Sequence, residues 1–402
     1  MSDHAHVEAV EAEKFDSARL GTLPTNLLIA GGVGLLLTVL GAFVISKEQF
    51  AYTYLFAFAF FFTLVVGSLF WTCLHHATDS EWSVVVRRQL ENVGSLIPWV
   101  ALAFVPILLF CLPILYKWWN IEDGIDPLLD AKRPYLTREF FLIRVVLYFG
   151  LLTLVAWTLR RHSTRQDTDG QGSHSLTMRK FGVGGIPVVG LGITFAGFDW
   201  LMGLDYHWFS TMWGVYLFAG AAGSSMSLLV LIITTLKAKG YLKVVNDEHY
   251  HIMGKFMLAF TIFWAYIGFS QYMLIWYANI PEENIYFIIR NQGGWNFLST
   301  ALVVCRFFLP FPILLTQWVK KDPHRLRWVA GWVVCMQLLD MFLITMPVLK
   351  KTGFGVVDVV YAICPLVGIG GILGFFFLRN LTKDYLFPTR DPRLALSIHL
   401  HN

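Results

Sequence analysis

The chain has 402 residues, of which 56% are hydrophobic and only 14% charged, with a mean hydropathy of +0.58 and a formal net charge of +4. A soluble core of this length cannot bury so much apolar surface, so the composition excludes an ordinary soluble globular protein and implies a polytopic membrane protein. The basic residues are spread over many connections and not gathered in one patch, so no nucleic-acid partner is implied.

Residues 1–25 read as an acidic polar tail. They lack the basic start and short apolar core of a cleaved signal peptide and are expected to remain on the mature chain. Ten apolar stretches follow: Asn26 to Ser46, Ala51 to His75, Ser95 to Tyr116, Phe140 to Leu159, Val183 to Leu204, Phe209 to Leu236, Ile252 to Ile280, Asn296 to Trp318, Trp328 to Leu349 and Val356 to Leu378. Each reaches the ~18 residues expected of a spanning helix. Backbone groups in lipid need partners within their own segment, and alternating barrel strands are absent, so the expected fold class is all-α with ten transmembrane helices. Residues 26–378 form one membrane domain, and 379–402 form a second tail.

The connections differ in character. Asp79 to Gly94 (DSEWSVVVRRQLENVG) places Trp82, Val85, Val86 and Leu90 on one side and Arg87, Arg88 and Glu91 on the other. That pattern predicts an amphipathic helix lying in the membrane interface. Lys117 to Glu139, with Trp118, Trp119, Glu122, Asp123, Asp126, Asp130 and Arg133, is large enough to dock an extramembrane partner. Arg160 to Lys180 is polar, contains glycine and reads as the one linker-like stretch. With both termini cytoplasmic, Lys and Arg number 21 in the cytoplasmic tails and connections, counting Lys255 at the cytoplasmic end of the seventh span, against 8 opposite, which leaves Arg144 and Arg306 deeper within spans. The bias predicts that orientation in a bacterial inner membrane.

Charges inside spans are costly and usually functional. Arg306 lies about ten residues into the eighth span and Asp340 about nine residues from the matching end of the ninth, which puts both roughly 14 to 16 Å deep. The two helices run antiparallel, so these residues are expected to meet, either as a structural ion pair or as part of a proton or quinone relay. Gln337, one turn before Asp340, extends the polar track. Arg144 and Asp199, each about five residues from the outer end of its span, are a second candidate pair. Asp205 and His207 occupy a short outer turn, and Gln271, Tyr272 and Tyr277 lie in the outer half of the seventh span. If Asp199, Trp200, Asp205, His207, Gln271, Tyr272 and Tyr277 converge, they make an outer pocket able to take protons from a quinol and enclose its ring. The other reading is an interfacial aromatic belt with structural charges.

No cofactor is expected to be ligated by this chain. Cys73, Cys111, Cys305, Cys335 and Cys364 are scattered over separate spans, whereas iron-sulfur ligation needs clustered thiolates. His75, His76, His249 and His251 fall at span ends and His207 in an outer turn, so facing mid-helix haem ligands are missing. Gly31-Gly32-Val33-Gly34 and Gly368-Ile369-Gly370-Gly371 lie within spans and predict close helix packing, not phosphate binding.

Three stretches carry a resemblance. FAGFDWLMGLDYHWFSTMWGVYLFAG (Phe195 to Gly220), FWAYIGFSQYMLIWYANIPEE (Phe263 to Glu283) and HHATDSEWSVVVRRQLE (His75 to Glu91) resemble the integral membrane subunits of bacterial alternative complex III. These are relatives of the membrane anchors of polysulfide reductase and nitrite reductase complexes. The resemblance implies two four-helix bundles plus two peripheral helices, and the chain looks like the shorter of the family's two ten-helix subunits. It also implies periplasmic iron-sulfur and c-haem partner subunits, a paralogous ten-helix neighbour, surrounding phospholipid and menaquinol as the complex's reductant. In that family the quinol site is assigned to the longer paralogue, and a proton-conducting role is proposed for both. Two alternatives stand beside this reading. One is an anchor for a different molybdenum or iron-sulfur enzyme; the other is a secondary transporter, against which no inverted repeat is visible.

Overall fold

A computed structural model describes residues 12–401. They form ten helices long and apolar enough to cross a membrane: α1 (Leu23–Val44), α2 (Lys47–Ala77), α3 (Val84–Leu115), α4 (Arg138–Asp169), α5 (Gly172–Leu204), α6 (Trp213–Ala238), α7 (Asp247–Ala278), α8 (Gly294–Leu315), α9 (Pro323–Leu349) and α10 (Val356–Lys383). Among the described residues no strand forms beyond one isolated bridge, between Lys14 and Tyr385. That bridge, with the Leu386 N–H donating to the Glu13 carbonyl, holds the two tails together on one side of the bundle. We call this the tail side.

Helices α2 to α5 pack as one group and α6 to α9 as a second. The groups meet where α2 and α5 lie against α6, and α2 also touches α9. α2 is the central post, buried over 94% of its apolar stretch, and its phenylalanines fill the space between neighbours. α1 and α10 pair with each other on the flank of α2. Their glycines allow the approach: a Cβ on Gly34 would lie 2.6 Å from the Gly368 nitrogen, and one on Gly371 would lie 2.6 Å from the Leu27 carbonyl oxygen. Without side chains there, two backbones come into van der Waals contact, the packing lipid-embedded helices rely on.

Two expectations about the connections need correction. The segment after Asp79 does form a helix, Val84–Gly94, but it opens α3 and is buried by protein on both faces, so it has no free polar face. Its charged face is covered by carboxylates from elsewhere. Arg87 reaches Asp391 at 2.8 Å and Arg88 reaches Asp167 at 2.6 Å, while Glu91 lies 3.3 and 3.6 Å from the two guanidiniums. Arg393 clamps Asp391 and Asp79, both at 3.0 Å. Paired guanidinium and carboxylate groups can be buried where either alone could not.

Residues 160–180 are no linker either. α4 continues to Asp169, turns at Gly170 with a left-handed φ of +68°, and α5 begins at Gly172. Likewise α10 runs on to Lys383, and the following residues fold back so that Leu386 and Phe387 are buried.

On the opposite side, the connection after α3 folds over the end of the first group. Asp126 caps the short helix Pro127–Lys132 and accepts the Tyr206 hydroxyl at 2.7 Å. That hydroxyl is the main cause of the Asp126 carboxyl lying below its usual range.

Candidate functional site

Arg306 sits on a π-helical stretch of α8, Val304–Phe308. Pro310 explains the local form: it has no N–H to give to the Arg306 carbonyl, and the chain relaxes into a wider turn in which the Leu309 N–H reaches back to Val304. The Cys305 carbonyl accepts the Trp332 indole N–H at 2.6 Å. The wide turn directs the guanidinium into the second helix group, where the Arg306 Nη1 donates to Asp340 Oδ2 at 2.5 Å.

Asp340 is 2% exposed and is held by more than this ion pair. Tyr216 on α6 donates its hydroxyl to Oδ1 at 2.6 Å, and Trp264 on α7 donates its indole N–H to Oδ2 at 3.1 Å. The guanidinium also lies over the Trp264 ring, 4.1 Å from its centroid, and bonds the Gln337 side-chain oxygen. Gln337 in turn donates to the Thr63 hydroxyl of α2 at 3.2 Å. Four helices of the second group and the central post thus meet in one polar track through apolar surroundings. The donors around the carboxyl group stand in for the water it has lost.

Arg144 and Asp199 form a second centre in the first group. The fork is bidentate, with Nε to Oδ2 and Nη2 to Oδ1 both at 2.8 Å, and Tyr148 adds its hydroxyl at 2.7 Å. Arg144 also donates to the Tyr135 carbonyl at 2.8 Å. This centre is closed: Trp200, next in sequence, stacks among Phe58, Phe62, Phe104 and Phe149, and the void beside it is about 10 Å³, at the lower limit for a single water.

The outer pocket expected from sequence therefore does not assemble as one unit. Asp199 and Trp200 are sealed in the first group. Asp205 and His207 sit on the surface, His207 being 3.4 Å from Asp126 and 3.5 Å from Asp205. Tyr277 is 83% exposed. Only Gln271 and Tyr272 face a cavity, and that cavity belongs to the second group.

It measures about 630 Å³ and lies between α6, α7, the first half of α8 and α9. α7 packs against Pro310–Leu315 of α8, whereas Gly294–Val303 leans on α9, and the gap between them is the cavity. Its wall includes Trp213, Tyr216, Trp264 and Phe307, with Asp340 among the lining groups, and the short helix Pro281–Arg290 contributes Tyr286 and Arg290. Sequence reasoning passed over Tyr216 and Trp264, though both lie inside the quoted motifs, and over Arg290, which sits in a connection. The signal for Arg290 was the amphipathic pattern of residues 281–290.

No protein-family model matches the chain, and no curated protein matches it either.

Proposed function

We propose that the chain is a membrane-embedded subunit of a quinol-oxidising respiratory complex of the alternative complex III type, in a bacterial inner membrane with both termini cytoplasmic. Electrons pass through iron-sulfur and c-haem centres in periplasmic partners seated on the loops opposite the tail side. The chain itself supplies scaffold and a proton-carrying centre. The observation that carries this reading is Asp340, a carboxylate held in mid-span by Tyr216, Trp264 and Arg306 and continued by Gln337 to Thr63.

A tyrosine hydroxyl can give one proton and accept another, so Tyr216 can pass a proton to Asp340 from the cavity side. Arg306 holds Asp340 in place and sets a positive charge beside it. Gln337 and Thr63 offer hydrogen-bonding groups onward toward α2. A second reading has its own observation: Arg306 is held by Asp340, Gln337 and the Trp264 face, as a purely structural ion pair would be.

The complex itself is tested by isolating the tagged chain from its native membranes under mild detergent. Co-purifying iron-sulfur and c-haem subunits with menaquinol-oxidising activity are expected. Recovery with a molybdenum enzyme, or alone with no quinol activity, contradicts the reading.

A further inference from the structure

The second helix group carries a cavity of which the proton-carrying reading uses only Tyr216 and Asp340. Its rim is lipid-facing: Tyr266 and Phe269 on α7 and Val303 and Phe308 on α8 are all exposed on the outer surface, so the opening faces sideways, between two helices. Such an opening admits a molecule dissolved in the bilayer. About 630 Å³ is well within the range of small-ligand sites and holds a one- or two-ring head with the start of a tail.

The wall groups say what kind of head. Arg290 is 8% exposed and donates only to backbone carbonyls, those of Tyr286, Leu343 and Ile344. Among the described residues no carboxylate lies within ion-pair distance of it. A buried guanidinium without a counter-charge favours an oxygen-rich partner. Trp208 also lines the cavity, and its buried indole N–H has no partner. Gln271 uses its side-chain oxygen to accept from Ser210 at 2.7 Å, while its amide N–H₂ donates to no group among the described residues. Three donors are therefore free or unbalanced around one apolar space.

Asp340 supplies the contrary sign. A carboxylate accepts about four hydrogen bonds, and Tyr216, Trp264 and Arg306 fill three. The remaining position suits a hydroxyl donor and repels an anion. A phosphate head would gain Arg290 but face this carboxylate, whereas a neutral ring bearing two oxygens can accept at one end and donate at the other. The aromatic wall of Trp213, Tyr216, Trp264 and Phe307 fits a flat ring.

We propose that this cavity is a binding site for a lipid-soluble quinol or quinone, its ring between the aromatic walls, one oxygen toward Arg290 and Gln271 and the other toward Asp340. The ligand class rests on the quinol reading above, but the site requires neither assembly into a complex nor proton transfer.

The full chain in lipid nanodiscs is titrated with a short-tailed menaquinone analogue while tryptophan fluorescence is followed, since Trp208, Trp213 and Trp264 all line the cavity. Saturable quenching is expected, weakened at least tenfold by Thr300→Trp, which fills the mouth from an exposed lining position, and severalfold by Gln271→Leu. Non-saturable quenching, or quenching untouched by Thr300→Trp in a variant that retains the thermal stability of the parent, overturns the proposal. So does quinone binding that is abolished by phosphatidylglycerol nanodiscs yet intact in phosphatidylcholine, because the site would then prefer an anionic lipid head. Loss of the co-purifying redox subunits with intact quinone binding would count against the complex and leave the site standing.

Discussion

Asp199 and Asp340 hold the same station in the two helix groups. Each lies on the fourth helix of its group, is paired with an arginine on the third, Arg144 or Arg306, and accepts a tyrosine hydroxyl, from Tyr148 or Tyr216. The third helices run in the same direction, as do the fourth, so the arrangement is a parallel repetition and not an inverted one. The surroundings separate the two. Asp199 is sealed by a bidentate fork and an aromatic cluster with a void of about 10 Å³, whereas Asp340 lines a cavity of about 630 Å³.

That contrast predicts different consequences for equivalent substitutions. Asp199→Asn leaves Arg144 without its counter-charge in a closed site, and breaking one partner of a buried pair costs ~3 to 5 kcal/mol. A large drop in thermal midpoint and in folded yield is expected in detergent. The paired change Arg144→Leu with Asp199→Leu should recover much of the loss, because no unpartnered charge remains. A double variant no better than Asp199→Asn alone would contradict this account.

The α1 and α10 contact gives a sharper test of packing. Gly34→Ala puts a methyl 2.6 Å from the Gly368 nitrogen and 2.8 Å from the Cys364 carbonyl oxygen, and neither backbone atom can move without shifting a helix. Overpacking of this kind costs ~1 to 3 kcal/mol. Gly32→Ala meets nothing within 4 Å and should leave stability unchanged or slightly raised, since alanine favours helix. Thermal unfolding of the two variants compares them directly, and equal midpoints would rule out the close contact.

The tail-side lock should respond to acid. Burial raises the Asp391 carboxyl, but the Arg87 and Arg393 guanidiniums outweigh burial and hold it well below the usual carboxylate range. Folding thus lowers its value, so its stabilisation is fully present above the unfolded value of about 4 and is lost as the pH falls below that. Hydrogen exchange over residues 386–398 is expected to be slow from neutral pH to about 5 and to quicken in acid beyond the intrinsic trend. Asp391→Asn should quicken it at neutral pH. A tail equally protected in the variant would contradict the lock.

Orientation is open to a direct check. The 21 to 8 distribution of Lys and Arg predicts that alkaline phosphatase fused to the C-terminus stays inactive, while a fusion within the Lys117 to Glu139 connection is active. The reverse pattern would invert every assignment of sides made here.

Much of this architecture was legible because its signals are local. Ten spans follow from apolar length alone, and the meeting of Arg306 with Asp340 and of Arg144 with Asp199 follows from counting residues along antiparallel helices. The glycine runs pointed to close helix packing for the same reason, though not to the pairing of α1 with α10. What was illegible depends on partners distant in the chain. Arg87 and Arg88 looked like the wet face of an interfacial helix because nothing nearby in sequence announces Asp391 and Asp167, which neutralise them. Trp200 looked like a pocket wall beside Asp199, but its ring is claimed by phenylalanines from α2, α3 and α4. The cavity arises from how α7 and α8 diverge, a geometry to which no single residue type testifies.

The most direct test of the proton-carrying role is Asp340→Asn in the assembled complex, with quinol oxidation and proton release measured together. Asparagine keeps the shape and part of the hydrogen bonding, so assembly should survive while proton release and turnover fall, by up to the ~10² to 10⁴ typical of acid and base groups. An assembled complex with both rates unchanged would remove Asp340 from any proton path, and failure to assemble would mark Arg306 and Asp340 as a structural pair.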